Sequence, residues 1–217
     1  MEPDEDKQCY PARIAQIHRS HCIVWSHKGI KSFEVGVFND PRNLAVGDWI
    51  LIPNKGERPL RILERETVLI RRAAGNRIHD QLIAANVDTL FIVTSCNDDF
   101  NASRIERYLA LATEARIRPV IILTKMDLTD DANSFKRAAL KLQKELRVEC
   151  INAKKNTSLA SLKTIFTEGH TVALMGSSGV GKSTLINNLT DAAQLTAEIS
   201  KEDGKGKHTT NSRSLHL

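Results

Sequence analysis

Hydrophobic and polar positions follow two rhythms along this chain, and the change of rhythm divides it. In the first third the apolar runs are short, β-branched and partly alternating: Ala12–His18, Cys22–Trp25, Lys31–Phe38, Asp48–Ile52 and Leu60–Arg65. Gly29, Asn39-Asp40-Pro41, Gly47 and Pro53-Asn54 punctuate them. Roughly five strands in about sixty residues predict a small β-barrel, with an OB-fold as the natural candidate. From about Ile83 the rhythm changes. Asp88–Thr94 is nearly continuous apolar sequence, as in a strand buried on both faces. Ala102–Arg116 carries Ile105, Tyr108, Leu109, Ala112 and Ala115 at helical spacing, with Asn101 or Ser103 as its cap. Strand Val120–Leu123, helix Asn133–Leu146, strand Val148–Ile151, helix Ser158–Phe166, strand Thr171–Met175 and a helix from Lys182 to about Leu189 follow. Strands alternating with helices predict a doubly wound α/β sheet that binds its ligand at the carboxyl ends of the strands.

The pattern implies four segments: an acidic frayed tail over 1–10, the barrel over 11–70, a linker over 71–82 and an α/β domain over 83–217. The linker is rich in arginine. Arg71, Arg72 and Arg77 either contact a phosphate backbone or are simply solvated. Such a barrel binds RNA or docks on a protein, and composition alone does not separate the two.

Composition narrows the class without naming it. With 41% hydrophobic and 26% charged residues, the 217-residue chain has an ordinary globular balance. Its net charge of +5 permits a nucleic-acid partner. No apolar run approaches a membrane span, and Met1–Asp6 lacks the apolar core of a secretion signal. Cys9, Cys22, Cys96 and Cys150 are scattered, which reads as reduced, mostly buried thiols in a cytosolic protein rather than a zinc site.

The chemistry concentrates in one stretch. Val172–Met175 leads into Gly176-Ser177-Ser178-Gly179-Val180-Gly181-Lys182-Ser183-Thr184, and a helix-forming segment follows. The spacing Gly176-x4-Gly181-Lys182-Ser183 is that of a P-loop. Glycines at 176 and 181 let successive N–H groups turn toward phosphate oxygens, and the helix opening at Lys182 adds its positive end. The Lys182 ammonium can reach the β- and γ-phosphates, and the Ser183 hydroxyl can ligate Mg²⁺.

A P-loop does not identify the base. Thr124-Lys125-Met126-Asp127, after the apolar run Val120–Leu123, fits the guanine-reading pattern [N/T]-K-x-D. The Asp127 carboxylate can accept from N1–H and the exocyclic amine of guanine together, a donor pair that adenine lacks. The Lys125 stem can lie over the base. Asn152-Ala153-Lys154 closes the next strand and offers the Ala153 N–H to guanine O6. The order is unusual, because the base reader precedes the P-loop. Read cyclically, the motifs run as in other GTPases, so the domain is expected to be circularly permuted. The polar stretch Lys201–Arg213 then occupies the place of switch I, where Thr209 or Thr210 can complete the Mg²⁺ shell.

These residues resemble a known family, the circularly permuted small ribosomal subunit biogenesis GTPases of RsgA/YjeQ type. The resemblance rests on Val46-Gly47-Asp48-Trp49, Ala84–Asp88, Thr124–Leu128, Gly176–Ser183 and Gly204-Lys205-Gly206-Lys207-His208-Thr209-Thr210. It implies an N-terminal OB-fold, a permuted GTPase domain, a cytoplasmic location, and action as a monomer in late maturation of the small ribosomal subunit in contact with its rRNA. The implied ligands are GTP or GDP with Mg²⁺. It also places His208 where a switch histidine acts near the attacking water; otherwise His208 is an exposed surface residue. The chain departs from the family in having no D-x-x-G motif beyond the switch stretch and no zinc-binding cluster. It is therefore expected to be a fragment of a longer protein, with zinc only in the part beyond Leu217. The first functional expectation is GTP hydrolysis. The alternative is a module that holds guanine nucleotide without cleaving it while binding RNA or the ribosome. A P-loop nucleotide kinase is a third reading, against which Thr124–Asp127 argues.

Overall fold

The computed structural model describes residues 8–38, 40–56, 58–72, 80–190 and 214–216. The chain divides into two units at Val87/Asp88.

The first unit is built on a five-stranded antiparallel sheet: β1 (Cys9–Ile17), β2 (His21–Ser26), β3 (Gly29–Glu34), β4 (Trp49–Pro53) and β5 (Arg61–Ile62). Their order is β3-β2-β1-β4-β5. Alternation puts Tyr10, Ala12 and Ile14 of β1 on one face, where they pack with Cys22, Val24, Phe33, Ile50 and Ile52. The acidic tail expected over 1–10 ends sooner than that. Cys9 pairs with Pro53 and Tyr10 with Ile52, because Tyr10 is already the first inward position of the strand. Two other strands are shorter than their sequence patterns. β3 stops at Glu34, where a 3-10 turn over Val35–Val37 takes over, and β5 keeps two residues of the expected six.

The larger departure is at the expected linker. β6 (Val68–Arg72) and β7 (Asp80–Ala85) form an antiparallel pair from Val68↔Ala85 to Arg72↔Asp80. The 71–82 segment therefore contains strand at both ends, and Arg77 lies outside the described residues. Leu69 and Ala85 are buried, which gives the pair a reason to fold in despite its arginines. Val46 bridges Ala84 in parallel, and Gly47 (φ +94°) lies so close to this pair that a Cβ would sit 2.2 Å from the Ala85 carbonyl oxygen. The chain end contributes too. Ser214 bridges Gln16, and Leu215 N–H donates to Ala15 O at 2.8 Å, so residues 214–216 join the first unit rather than the α/β domain.

The second unit is a four-stranded parallel sheet in the order β10-β9-β8-β11. It contains β8 (Thr89–Ser95), β9 (Arg118–Thr124), β10 (Arg147–Cys150) and β11 (Val172–Met175). Between and after them run α1 (Ala102–Glu114), α2 (Ala132–Leu140), α3 (Ala160–Lys163) and α4 (Lys182–Leu189). Every residue of β8 is buried, which explains the apolar run Leu90–Val93 at its centre. Asn101 caps α1 by accepting from Arg104 N–H at 2.8 Å. α2 ends six residues before the expected Leu146. Its last carbonyls accept i→i+3 bonds from Lys141 and Leu142, and the chain turns through Glu145 at φ +59° to send Leu146 into the core. The helix expected over Ser158–Phe166 is a 3-10 turn over Asn156–Leu159 followed by the single turn of α3. No helix among the described residues is long and apolar enough to cross a membrane.

One charged pair ties the first unit together. Asp48 is fully buried, and both its oxygens are taken by Arg65, Nε to Oδ1 at 2.6 Å and Nη2 to Oδ2 at 2.9 Å. Ala45 N–H also donates to Oδ2 at 2.8 Å, and Arg65 reaches the Asn43 carbonyl. Replacing one member of a buried pair leaves the other unpaired, at about 3 kcal/mol or more. Asp48→Ala is therefore expected to lower unfolding free energy by about 3 kcal/mol, measured by urea denaturation; a loss within experimental error would show that the pair does not hold the loop.

Candidate functional site

The parallel sheet brings the ends of β8, β9, β10 and β11 to one edge, and the stretches Thr124–Asp127, Asn152–Lys154 and Gly176–Ser183 lie there. β11 runs into the loop 176–181 and the loop into α4. Gly176 is required by space, because a Cβ would stand 2.1 Å from the Val93 carbonyl oxygen. Gly181 is the residue before α4 and sits in the left-handed region at φ +97°. The first intrahelical bond of α4 is Leu185 N–H to Gly181 O at 2.9 Å, so the N–H groups of Lys182, Ser183 and Thr184 precede it and face no helical acceptor. Ser178, Gly179 and Ser183 are exposed, Ser177 and Thr184 are half-buried, and Val180 is buried under the loop beside Leu185.

Lys182 bends back over the loop. Its Nζ donates to Gly176 O at 2.8 Å and to Ser177 O at 2.5 Å. Partial burial lowers its pKa from the ordinary lysine value, and the negative charge of Asp99 works in the other direction. An ammonium held on carbonyls next to open amides is a basic group beside an array of donors, which is chemistry suited to a phosphate chain.

Thr124 joins this loop to the next strand. Its Oγ1 donates to the Val180 carbonyl at 2.6 Å and lies 3.1 Å from the Thr94 carbonyl. Thr124 is fully buried, so β8, β9 and the loop meet on one hydroxyl. The chain then turns sharply. Lys125 has a left-handed backbone (φ +57°), Leu128 N–H donates to Lys125 O at 3.0 Å, and Asp127 is exposed on the turn. Asn152 and Ala153 lie beside it and are buried. Asn152 accepts from Lys154 N–H at 2.9 Å, and Ala153 O accepts from Asn188 of α4 at 2.8 Å. Thr124, Asn152 and Ala153 are thus gathered around the loop and α4, with Lys125 and Asp127 on the turn that leaves β9. Thr209, Thr210 and His208 lie outside the described residues.

The sequence reading overlooked Asp99 and Arg104. Arg104 Nη1 donates to Asp99 Oδ1 at 3.0 Å and to the Ser177 hydroxyl. No motif covers either residue; the only sign is an acid and a base flanking the helix cap Asn101. Cys96, which follows β8, donates its N–H to Thr124 O at 2.9 Å. Burial, with a smaller contribution from Cys150, pushes its thiol up to about 11. All four cysteines are free, Cys22 and Cys96 buried, Cys9 and Cys150 half-buried. Among the described residues, no group of three or more His, Cys, Asp and Glu side chains is placed to hold a metal.

A protein-family model described as RsgA GTPase matches residues 62–217. The chain belongs to the RsgA GTPase family. Its relatives include the small ribosomal subunit biogenesis GTPase RsgA of Mesorhizobium japonicum, 47% identical over 215 residues, which are 97% of this chain and 62% of that protein. RsgA 2 of Vibrio parahaemolyticus is 46% identical over 207 residues, 95% of this chain and 57% of that protein. The chain thus spans about three-fifths of the length of these curated RsgA relatives. Among solved structures, YloQ, described as a circularly permuted GTPase, superposes with a TM-score of 0.59 at 27% identity over 82% of this chain and 63% of its own. YjeQ from Thermotoga maritima superposes with a TM-score of 0.62 at 21% identity over 83% of this chain and 65% of its own, a likeness of fold.

Two outcomes are expected from this geometry. Thr124→Val keeps the shape and strands the buried Val180 carbonyl, so it should lower stability by about 1–3 kcal/mol in denaturant titration; an unchanged midpoint would mean that the hydroxyl does not hold the loop. Thiol alkylation of the native protein near pH 8 should modify half-buried Cys9 well before Cys96, read by peptide mass spectrometry, because Cys96 is buried and its raised thiol keeps little thiolate at that pH. Early labelling of Cys96 would contradict its burial.

Proposed function

We propose that this chain binds guanine nucleotide at the edge described above and, as part of an RsgA GTPase, hydrolyses GTP during late maturation of the small ribosomal subunit. It acts in the cytoplasm as a monomer. The observation that carries this reading is the Thr124–Val180 bond, which joins a TKMD turn to a P-loop on one sheet edge. Membership of the family supports the same activity.

In this reading the loop amides of Ser177–Gly181 and the first turn of α4, including Thr184, surround the β-phosphate. Lys182 leaves the Gly176 and Ser177 carbonyls for the β- and γ-phosphate oxygens, a change from neutral to anionic acceptors that strengthens its hydrogen bonds. Asp127 takes the two guanine donors, Lys125 covers the base and the Ala153 amide faces O6. Ser183, exposed at the head of α4, suits Mg²⁺, which when bound neutralises charge between the β- and γ-phosphates. Thr209 or Thr210 would complete its shell, and His208 would act near the attacking water. Lys182 and the loop amides stabilise the charge that develops on the transferred phosphoryl group.

The first unit is proposed as an OB-fold that contacts rRNA. The strand order β3-β2-β1-β4-β5 supports it, since this is the order of an OB barrel read from its third strand to its fifth.

The test is hydrolysis of GTP with and without purified small ribosomal subunits. The rate is expected to rise when subunits are added, and Lys182→Ala should reduce it by about 10²-fold or more. Hydrolysis by Lys182→Ala at the parent rate would remove the P-loop from the chemistry. For the base, Asp127→Asn should weaken GTP binding by about ten- to a hundredfold, the loss of charge-assisted hydrogen bonds, and favour xanthine nucleotide. Unchanged guanine affinity would exclude Asp127 from the site.

A further inference from the structure

Asp99 and Arg104 belong to no motif, yet they reach the P-loop. The bond from Arg104 N–H to the Asn101 cap holds the Arg104 backbone in the first turn of α1. Its guanidinium then spans two acceptors, the Asp99 carboxylate at 3.0 Å and the Ser177 hydroxyl. Ser177 is the second residue of the loop, and its carbonyl accepts from Lys182 Nζ at 2.5 Å. A continuous chain therefore runs Asp99–Arg104–Ser177–Lys182. The pair is half-buried, with Arg104 at 29% and Asp99 at 30% side-chain exposure. Asp99 Oδ2 is buried without a hydrogen-bond partner among the described residues, so the carboxylate is directed into the protein rather than at solvent. The same carboxylate counters the desolvation of Lys182.

An exposed ion pair between α1 and its own leading turn would contribute little. This one differs because its arginine makes a second bond to a loop on another element. A guanidinium is well matched to such a double contact, since its planar fork has a fixed geometry and loses little freedom per bond formed. A loop built before its ligand arrives spends none of the binding free energy on ordering itself.

We propose that Arg104, held by Asp99, is a positioning residue of the P-loop: it fixes Ser177, and with it the carbonyl on which Lys182 rests before engaging phosphate. This rests on the nucleotide-binding reading above. Removing the guanidinium leaves the first half of the loop to be ordered by the nucleotide. Both GTP and GDP are then bound more weakly, mainly through faster dissociation.

The experiment uses the chain as it stands, with Arg104→Met, Arg104→Lys, Ser177→Ala and the double variant Arg104→Met/Ser177→Ala. Amide hydrogen exchange over 176–181 without nucleotide reads the loop directly. Stopped-flow dissociation of fluorescent GTP and GDP reads its consequence. Arg104→Met is expected to speed exchange in the loop and to raise both dissociation rates about tenfold, the scale of one hydrogen bond to a charged group. Arg104→Lys should restore part of the loss. Ser177→Ala, which leaves the Asp99–Arg104 pair intact, should match Arg104→Met, and the double variant should be no worse than either, since both cut one link. Unchanged exchange and dissociation in Arg104→Met would overturn the proposal, as would effects that multiply in the double variant. If the parent chain binds no guanine nucleotide, the functional reading fails, and exchange alone decides the positioning role: faster loop exchange in Arg104→Met supports it and unchanged exchange overturns it.

Discussion

The second unit depends on one buried hydroxyl. Parallel strands bring their carboxyl ends to one edge, but backbone pairing holds only neighbours in the sheet, and the loop after β11 is two strands away from β9. Thr124 spans that gap with a bond to the Val180 carbonyl at 2.6 Å. Val180 in turn is buried with Leu185, Ile151 and Ala153, so the loop, α4 and the end of β10 share one apolar floor. A hydroxyl works here because it is short enough to be covered completely and can satisfy a carbonyl that no strand partner reaches. The positions of the turn after β9 and the glycine loop are therefore one property rather than two.

Electrostatics at the loop follow from the same crowding. Gly176 passes so near the Val93 carbonyl that no side chain fits, and Lys182 folds back onto this tightly packed stretch. Burial disfavours the ammonium while Asp99 favours it, and the carbonyls of Gly176 and Ser177 accept its hydrogen bonds. The charge is thus kept but weakly solvated, a state in which an anionic oxygen is a better partner than a carbonyl. Arg104 takes part through Ser177, and its own carboxylate partner is the one that supports Lys182.

The first unit solves a different problem. It has a small core and a loop, residues 43–48, that must lie against the β6–β7 pair. Two features make that contact close: Gly47, which admits the Ala85 carbonyl at a distance no Cβ would allow, and the Asp48 carboxylate, wrapped by Arg65 and the Ala45 amide. The expected linker is accordingly a strand pair. Arginine-rich composition suggested solvent, whereas the half-buried apolar positions of the same segment needed a partner that is distant in sequence. The start of β1 and the early end of α2 depart from the local pattern for a related reason. Local pattern does not state where a neighbouring element begins to cover a residue or where the chain must turn to bury Leu146.

The residues from Val172 to Leu189 carried their own structure in their order: an apolar strand, glycines at 176 and 181, then a helix. Such local rules act over a few residues, so they can be read without a fold. The same holds for the nearly continuous apolar run of β8, for a cap at Asn101 or Ser103 and for the turn at Thr124–Asp127. Tertiary structure alone decided that Thr124 binds Val180, that Asn188 reaches Ala153, that Asp48 closes on Arg65 and that Asp99 and Arg104 attend the P-loop. Each of these joins residues on different elements, and a side chain's partner across such a distance is set by how sheets and helices pack, which no local periodicity encodes.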